Sequence, residues 1–328
     1  MNNLGHILLW FGVVALMVVH LVWGELPLSM VEVWKALSGK GSSQLAQTVV
    51  WDVRVPRMLV AIAAGGLLAW LGMLMQTWFH NPLAGPGVLG VTSGGSLGVA
   101  LAVLLGWGVP TWISASLGCF GALALVGMAL RRFASPVTTL VFGLMLSYVV
   151  GAAVTFLQAS ASSEALQTFV FWGMGTFGRA PLWQSLAMLG VAGVFGIWLR
   201  WRARWLDAWT LGTDLASTMG IPRRQFDMEM LVLSGLTVGW VTSVCGPVAF
   251  LGLATPHVYR FLMPARSHGV MMWGMLAAGM LLALSGDLFV RATEAVSWVE
   301  RVPLNAVLAM MGAPVVLAVM WKRNVDWS

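Results

Sequence analysis

MLVAIAAGGLLAWLGMLMQTWFHNPLAGPGVLGVTSGGSLGVALAVLLGWGVPTWISASLGCFGALALVGMAL, residues 58–130, contains no Asp, Glu, Lys or Arg. One bilayer-crossing helix takes roughly 20 predominantly apolar residues, so the stretch has room for about three. A single buried helix of a soluble domain cannot fill it. Outward from this tract, further charge-free runs cover 133–163, 180–199, 230–259, 267–286 and 302–321. The whole chain is 59% hydrophobic and only 9% charged, where soluble domains carry about a quarter charged residues. Such a chain cannot clothe a water-facing surface, and lipid becomes its solvent. In lipid the backbone must satisfy its own hydrogen bonds, as a helix bundle or a closed barrel. Uninterrupted apolar runs, without the alternation of barrel strands, select an all-α polytopic membrane protein.

The net charge of +6 does not point to nucleic acid, because the basic residues sit in short clusters between apolar tracts, as loop charges do. Cys119 and Cys245 both lie inside apolar segments without metal-ligand spacing, and read as core-packing residues. The first apolar stretch, 7–23, lacks a basic n-region and a small-residue cleavage site, and reads as a retained helix.

The expected spans are 7–23, 58–79, 93–109, 112–130, 137–158, 182–199, 229–245, 248–263, 270–290 and 303–321. Gly246-Pro247 divides 229–263 into two, since proline disfavours helical geometry at the preceding residue. Basic residues weigh the count. Ten spans with both termini in the cytoplasm place 11 Lys and Arg inside and 7 outside, whereas nine spans give 9 against 9. The chain 1–328 then forms one transmembrane domain. Residues 24–57 lie outside as a short helix and a flexible turn, and 200–228 form a cytoplasmic loop.

Four segments carry chemistry. Arg54-Val55-Pro56-Arg57 opens the second span, with Pro56 suited to a first helical turn; its two arginines either snorkel to headgroups or present charge to an acidic partner outside. Gln76–Gly90 is uncharged yet full of helix breakers, which marks irregular backbone packed within protein; His80 in it is a weak metal candidate. Leu211–Ile221 reads as a short helix, capped by Thr213 or Asp214 and ended by Gly220. Its Leu215, Ala216 and Met219 either fill a groove on a partner or pack on their own subunit. Gly85-Pro86 leading to Leu89-Gly90 is echoed by Gly246-Pro247 leading to Leu251-Gly252, by internal duplication or by chance.

Together with GPVAFLGLATPHVYR (Gly246–Arg260), GDLFVR (Gly286–Arg291) and Gly312-Ala313-Pro314, these segments resemble the FecCD-type permeases. Those are the membrane subunits of type II ABC importers for ferric siderophores, haem and vitamin B12. The motifs run in family order over about residues 50–320. The resemblance implies ten helices per subunit and a second permease subunit, identical or homologous. It also implies two cytoplasmic ATP-binding subunits and a periplasmic binding protein, in a bacterial inner membrane. It implies that Arg54, Arg57 and Arg291 face acidic residues of the binding protein. The loop Leu211–Arg224, with Gly212, Asp214, Leu215, Ala216, Met219, Gly220 and Ile221, would dock into the ATPase. Asn81, Pro82 and Leu83 would lie near the cytoplasmic end of the pathway. No catalytic or metal site belongs to this chain in that reading, and ATP and Mg are held by the partners.

The match is imperfect at 264–269 and 294–305, where the family's usual acidic, His-Arg and Glu-Leu-Pro patterns are altered. No Walker A sequence occurs; Gly39-Lys40-Gly41-Ser42 lacks the spacing and the strand–helix setting. Rival classes are weaker. A secondary ion-coupled transporter would place several ionisable groups at mid-membrane, where Asp287 is the main candidate, and Asp287 reads instead as support for the helix end at Arg291. An intramembrane enzyme would need paired catalytic groups, and a passive channel no ATPase.

Overall fold

The computed structural model describes residues 3–24, 26–41, 43–133, 135–263, 267–295 and 302–322. All of its regular elements are helices. Seven described helices are long and apolar enough to cross a membrane. They correspond to α1 (Asn3–Val22), a continuous element ending in α4 (Val55–Trp78), α6 (Thr111–Phe133), α7 (Pro136–Ala159), α9 (Leu182–Trp209), α11 (Arg223–Cys245) and α13 (His268–Ala295). Shorter helices α5 (Val91–Leu104), α12 (Leu251–Leu262) and α14 (Leu304–Lys322) occupy the three remaining expected positions.

Several boundaries depart from the sequence reading. The second crossing begins far earlier than residue 58. Ser43 accepts the Ala46 N–H at 3.2 Å and starts α3 (Gln44–Thr48). A π-helical turn, Val49–Arg54, then leads without a break into α4. Pro56 has no N–H to give, and the widened turn just before it absorbs the lost ladder bond. The flexible turn expected in 24–57 therefore shrinks to the few residues between α3 and α2 (Met30–Ser38). Helix α2 itself closes with a full capping box: the Glu32 N–H donates to Ser29 Oγ at 3.2 Å, and the Ser29 N–H donates to Glu32 Oε2 at 2.8 Å. Those bonds from Ser29 hold the Glu32 carboxyl below its ordinary range. Trp51 fastens α2 to the π turn by donating to the Ala36 carbonyl at 3.1 Å.

Helix α8 (Ser163–Gly173) has no counterpart among the expected spans, since its stretch is too short and too polar to read as one. The 200–228 loop is mostly helical. Helix α9 continues to Trp209 through the arginines at 200, 202 and 204, and α11 starts at Arg223, leaving only α10 (Thr213–Thr218) between them. The break at Gly246-Pro247 is real, but the following α12 has 12 residues. At 1.5 Å per residue it is about 18 Å long, a half-crossing reached through irregular chain from Gly246 to Phe250.

Helix α4 is the centre of the bundle and is almost wholly buried. It packs on α13, α9 and α12. Approach to α12 is so close that a Cβ on Gly72 would sit 1.6 Å from the Gly252 carbonyl oxygen. Only glycine at both positions allows the backbones to touch. Gly252 also lies against Pro86, so the two irregular segments that echo each other in sequence meet in space behind α4.

Candidate functional site

The chemistry-bearing residues gather at the two ends of α4, 24 residues apart, or about 36 Å along a helix.

At its C-terminal end, α4 finishes in Trp78 and Phe79, stacked at 4.6 Å. The Trp78 indole N–H donates to Asp227 Oδ1 on α11 at 2.7 Å. Trp209, the last residue of α9, stacks on Phe226 of α11 at 4.1 Å and aims its own indole N–H at the Trp78 carbonyl. His80 sits next to this clasp at φ 47° and bonds the Trp209 carbonyl through Nε2 at 2.8 Å. Three helix ends are thereby fixed together, and α10 is slung between two of them. A further bond set joins α9, α13 and α4. Asp207 accepts from the His268 N–H at 2.7 Å and from its Nδ1 at 2.6 Å, while His268 Nε2 contacts Thr77 Oγ1 at 2.9 Å.

Helix α10 divides its residues cleanly. Ala216 is fully buried and Ile221 nearly so, against their own subunit. Leu211, Leu215 and Met219 are 63%, 48% and 61% exposed. Leu215 and Met219, four apart and joined by the bond from the Met219 N–H to the Leu215 carbonyl at 3.1 Å, share one helical face; Leu211 precedes the helix, across Gly212, and adds a third exposed apolar side chain. Asp214 is exposed in the first turn, where a carboxylate complements the helix dipole. Gly220 ends the helix at φ +87°, and the chain folds back so that the Ile221 N–H reaches the Ala216 carbonyl at 3.1 Å. Gly212 precedes the helix at φ +112°. Of the three apolar residues expected to meet a partner together, Ala216 turns inward while Leu215 and Met219 turn outward.

Asn81, Pro82 and Leu83 lie in the loop beside this clasp. The Leu83 N–H donates to Asn81 Oδ1 at 2.9 Å, closing a local turn. The Pro82 carbonyl accepts from His257 of α12 at 2.9 Å. Nearby, Arg260 of α12 donates to Gln76 Oε1 at 2.7 Å. The loop is held by protein, as its lack of charge implied.

The opposite end contains the arginines. Arg54 is 4% exposed. Its Nη1 donates to the carbonyls of Leu21 at 2.6 Å and Val22 at 2.8 Å, and Nη2 bonds the Leu26 carbonyl. It therefore closes the C-terminus of α1, whose last carbonyls have no intrahelical donor. Arg291 of α13 adds bonds to the carbonyls of His20 and Trp23. Arg57 places Nε between both oxygens of Asp287, at 3.0 and 2.8 Å, and His20 Nε2 lies 3.2 Å from Oδ2. Asp287 thus joins α13 to α4 and α1, and does not serve the helix end at Arg291. A carboxylate this deeply buried persists only when paired and bonded. Arg266 and Arg301, with 264–265 and 296–300 of the altered segments, lie outside the described residues; Asn305, inside the second of them, accepts from the Ala249 N–H at 3.0 Å and donates to the Gly173 carbonyl at 3.1 Å.

Among the described residues no group of three or more His, Cys, Asp or Glu is disposed to hold a metal ion. The residues missed by sequence reasoning are Trp78, Trp209, Phe226 and Asp227. One signal was present, aromatics at the ends of successive apolar tracts, but 19 tryptophans dilute it.

A bundle of membrane-crossing helices, with two broken segments and a short helix that exposes Leu215 and Met219 at one end, fits a transport permease, and the family match makes it one. The chain belongs to the FecCD transport family, whose model matches residues 12–322. It is a permease of the ABC-importer kind, a translocating subunit and not itself an enzyme. Similar proteins include the vitamin B12 import system permease BtuC of Escherichia coli O127:H6, 32% identical over 297 residues that cover 89% of each chain. BtuC of Klebsiella pneumoniae is 33% identical over 293 residues, covering 87% of this chain and 86% of that one. Among solved structures, an ABC transporter assigned to the metal-chelate type, in an inward-facing conformation, superposes with a TM-score of 0.84. It is 28% identical, over 97% of this chain and 98% of that one. PsaBC from Streptococcus pneumoniae, with a TM-score of 0.53 at 16% identity over 88% and 95%, shares the fold.

Proposed function

We propose that this permease works with an identical or homologous second permease subunit, two cytoplasmic ATP-binding subunits and a periplasmic binding protein. Together they carry a metal chelate of the cobalamin, ferric-siderophore or haem kind from periplasm to cytoplasm across a bacterial inner membrane. The observation that carries the reading is the exposed apolar pair Leu215 and Met219 on α10, with Leu211 exposed just before it, at a clasp of three helix ends. In this reading α10 and both termini lie in the cytoplasm. ATP and Mg²⁺ are held by the partners, whose closure pushes on α10. The push reaches α4, α9 and α11 together through Trp78, Trp209 and Asp227.

At the other end, Arg57 and Arg291 are the cations proposed to meet acidic groups of the binding protein. Arg54 supports them by holding α1 and its following turn in place. Charge complementarity would set the encounter rate and make it salt-sensitive. Asn81–Leu83 are proposed to lie at the cytoplasmic end of the pathway. Cobalamin is the chelate favoured for the first trial, because the relatives at 32–33% identity are vitamin B12 permeases.

The test is reconstitution in proteoliposomes with the ATP-binding subunit and loaded binding proteins for cobalamin, a ferric siderophore and haem. ATP-dependent accumulation of one of them is expected. An assembly that hydrolyses ATP yet accumulates none would overturn the substrate class, and a chain that retains no ATPase would overturn the whole reading.

A further inference from the structure

A groove of about 400 Å³ runs along the surface of the bundle between α9 and α13. Its floor is Trp70 of α4; Gly193, Gly196 and Ile197 form one wall, Trp273 and Leu276 the other. The floor keeps no donor for a polar guest. The Trp70 indole N–H is spent on the Met272 carbonyl at 2.7 Å, and its ring stacks on Phe195 at 5.8 Å. The α9 wall is open because it is glycine: a Cβ at Gly193 would meet nothing within 4 Å.

Arg200 and Trp201 also line the groove, at the point where the charge-free run 180–199 ends. Arg200 is exposed, and among the described residues no hydrogen-bond or ion-pair partner is found for it. Trp201 and Trp273 are exposed beside it, as aromatic anchors are at the hydrocarbon–headgroup boundary. Both walls belong to helices long and apolar enough to cross a membrane, so the slot opens on an apolar flank of the bundle. An apolar slot of this kind is filled by hydrocarbon, and the unpaired cation at the boundary selects an anionic head.

We propose that this groove binds an anionic phospholipid, one acyl chain lying over Trp70 and the headgroup phosphate on the Arg200 guanidinium. Occupancy would brace α9 against α13. The site is independent of the import substrate, and it can be tested on the chain alone.

The experiment titrates the full-length delipidated chain in detergent with phosphatidylglycerol and with phosphatidylcholine of equal chain length, and counts bound lipids by native mass spectrometry. Phosphatidylglycerol is expected to be retained in preference. Arg200→Gln should weaken its retention about fivefold, the effect of one interfacial basic charge, and leave phosphatidylcholine almost unchanged. Gly193→Phe, which fills the slot, should weaken both lipids. A second measurement avoids reliance on that variant's folding: wild-type affinity should rise as the acyl chains lengthen from eight to sixteen carbons. Equal retention by wild type and Arg200→Gln would overturn the proposal. So would indifference to chain length, or inorganic phosphate competing as well as the lipid, since either marks a surface anion site. A groove closed by a second copy, seen as dimer lost in Gly193→Phe with lipid retention unchanged, would also overturn it.

Discussion

Replacing Leu215 and Met219 by alanine together should detach the ATP-binding subunit without unfolding the permease. Burying a Leu or Met side chain from full exposure is worth about 1.5–3 kcal/mol. In the free chain these two are 48% and 61% exposed, so about half of that remains to be gained on docking, roughly 0.75–1.5 kcal/mol each. The double variant then loses about 1.5–3 kcal/mol, a drop in affinity of roughly ten- to 150-fold. The apolar area of the permease fold is nearly untouched, because both side chains point away from it. The assay is the dissociation constant for the ATP-binding subunit in detergent, measured beside the thermal unfolding midpoint of the permease alone. A contrasting variant sharpens the test. Ala216 is fully buried on the same short helix, so Ala216→Asp should unseat α10 and lower the unfolding midpoint, which the double variant should not. Wild-type affinity in the double variant, with ATP hydrolysis still coupled to uptake, would refute the docking face.

Asp287→Asn should cost about 2–4 kcal/mol, because it leaves the Arg57 and His20 side chains facing a neutral amide in a buried site. Arg57→Gln should cost a comparable amount and the double variant little more than either; additive costs in that cycle would show that the pair is not one unit. Trp78→Phe removes the donor to Asp227 and should cost about 1–3 kcal/mol, read as faster hydrogen exchange at the start of α11; unchanged exchange there would contradict the clasp. Gly72→Ala should prevent stable insertion, since its Cβ would sit 1.6 Å from the Gly252 carbonyl oxygen, whereas Gly121→Ala, with nothing within 4 Å, should be tolerated; comparable yields of the two variants after detergent extraction would count against the close α4–α12 approach. Arg57→Glu should weaken stimulation of ATP hydrolysis by the binding protein more than its effect on folding explains, when compared with Arg57→Gln at low and high salt; equal stimulation by both variants would remove Arg57 from the docking surface.

The crossings were legible because hydrophobicity and charge act over whole tracts. The missing charge in 58–130 decides the class regardless of local detail. Boundaries that depend on one or two residues were not legible. Ser43 extends the second crossing outward by accepting a single N–H, and a π turn lets the helix pass Pro56. Neither has a periodic signature. The short α12 was half readable: Gly246-Pro247 marked the break, but nothing in the apolar run set the length of the helix beyond it. At the candidate sites, the end of α10 was plain from Gly220, but its start was not: Thr213 and Asp214 read as caps, whereas the cap is Gly212 with no side-chain bond; nor was the sense in which Ala216 and Met219 face, because six residues hold too few turns for a pattern. Arg54 and Arg57 were found by motif. Their partners, the end of α1 and Asp287, lie 32 to 230 positions away, and a contact at that separation leaves no local trace.

The placement of α4 suggests why both ends matter to one motion. The element from Gln44 to Trp78 is 35 residues of continuous helix, about 52 Å long. It carries Trp78 with the α9–α11 clasp at its C-terminal end, and Arg57 with its ion pair 21 residues before that. A helix of that length hemmed in by α9, α12 and α13 cannot bend gradually without opening voids along its packed faces, and packed interiors resist that. Displacement at the α10 clasp must therefore move α4 as a unit or break the clasp. If it moves as a unit, the glycine contact with α12 is where sliding is easiest, because backbone lies on backbone there with no side chain to interlock. The irregular segments behind it, 79–90 and 246–250, contain the turns that can absorb the change in backbone angle. The firmest bonds on this element then lie at Arg57 and at the clasp, and the backbone best able to slide lies between them, at Gly72.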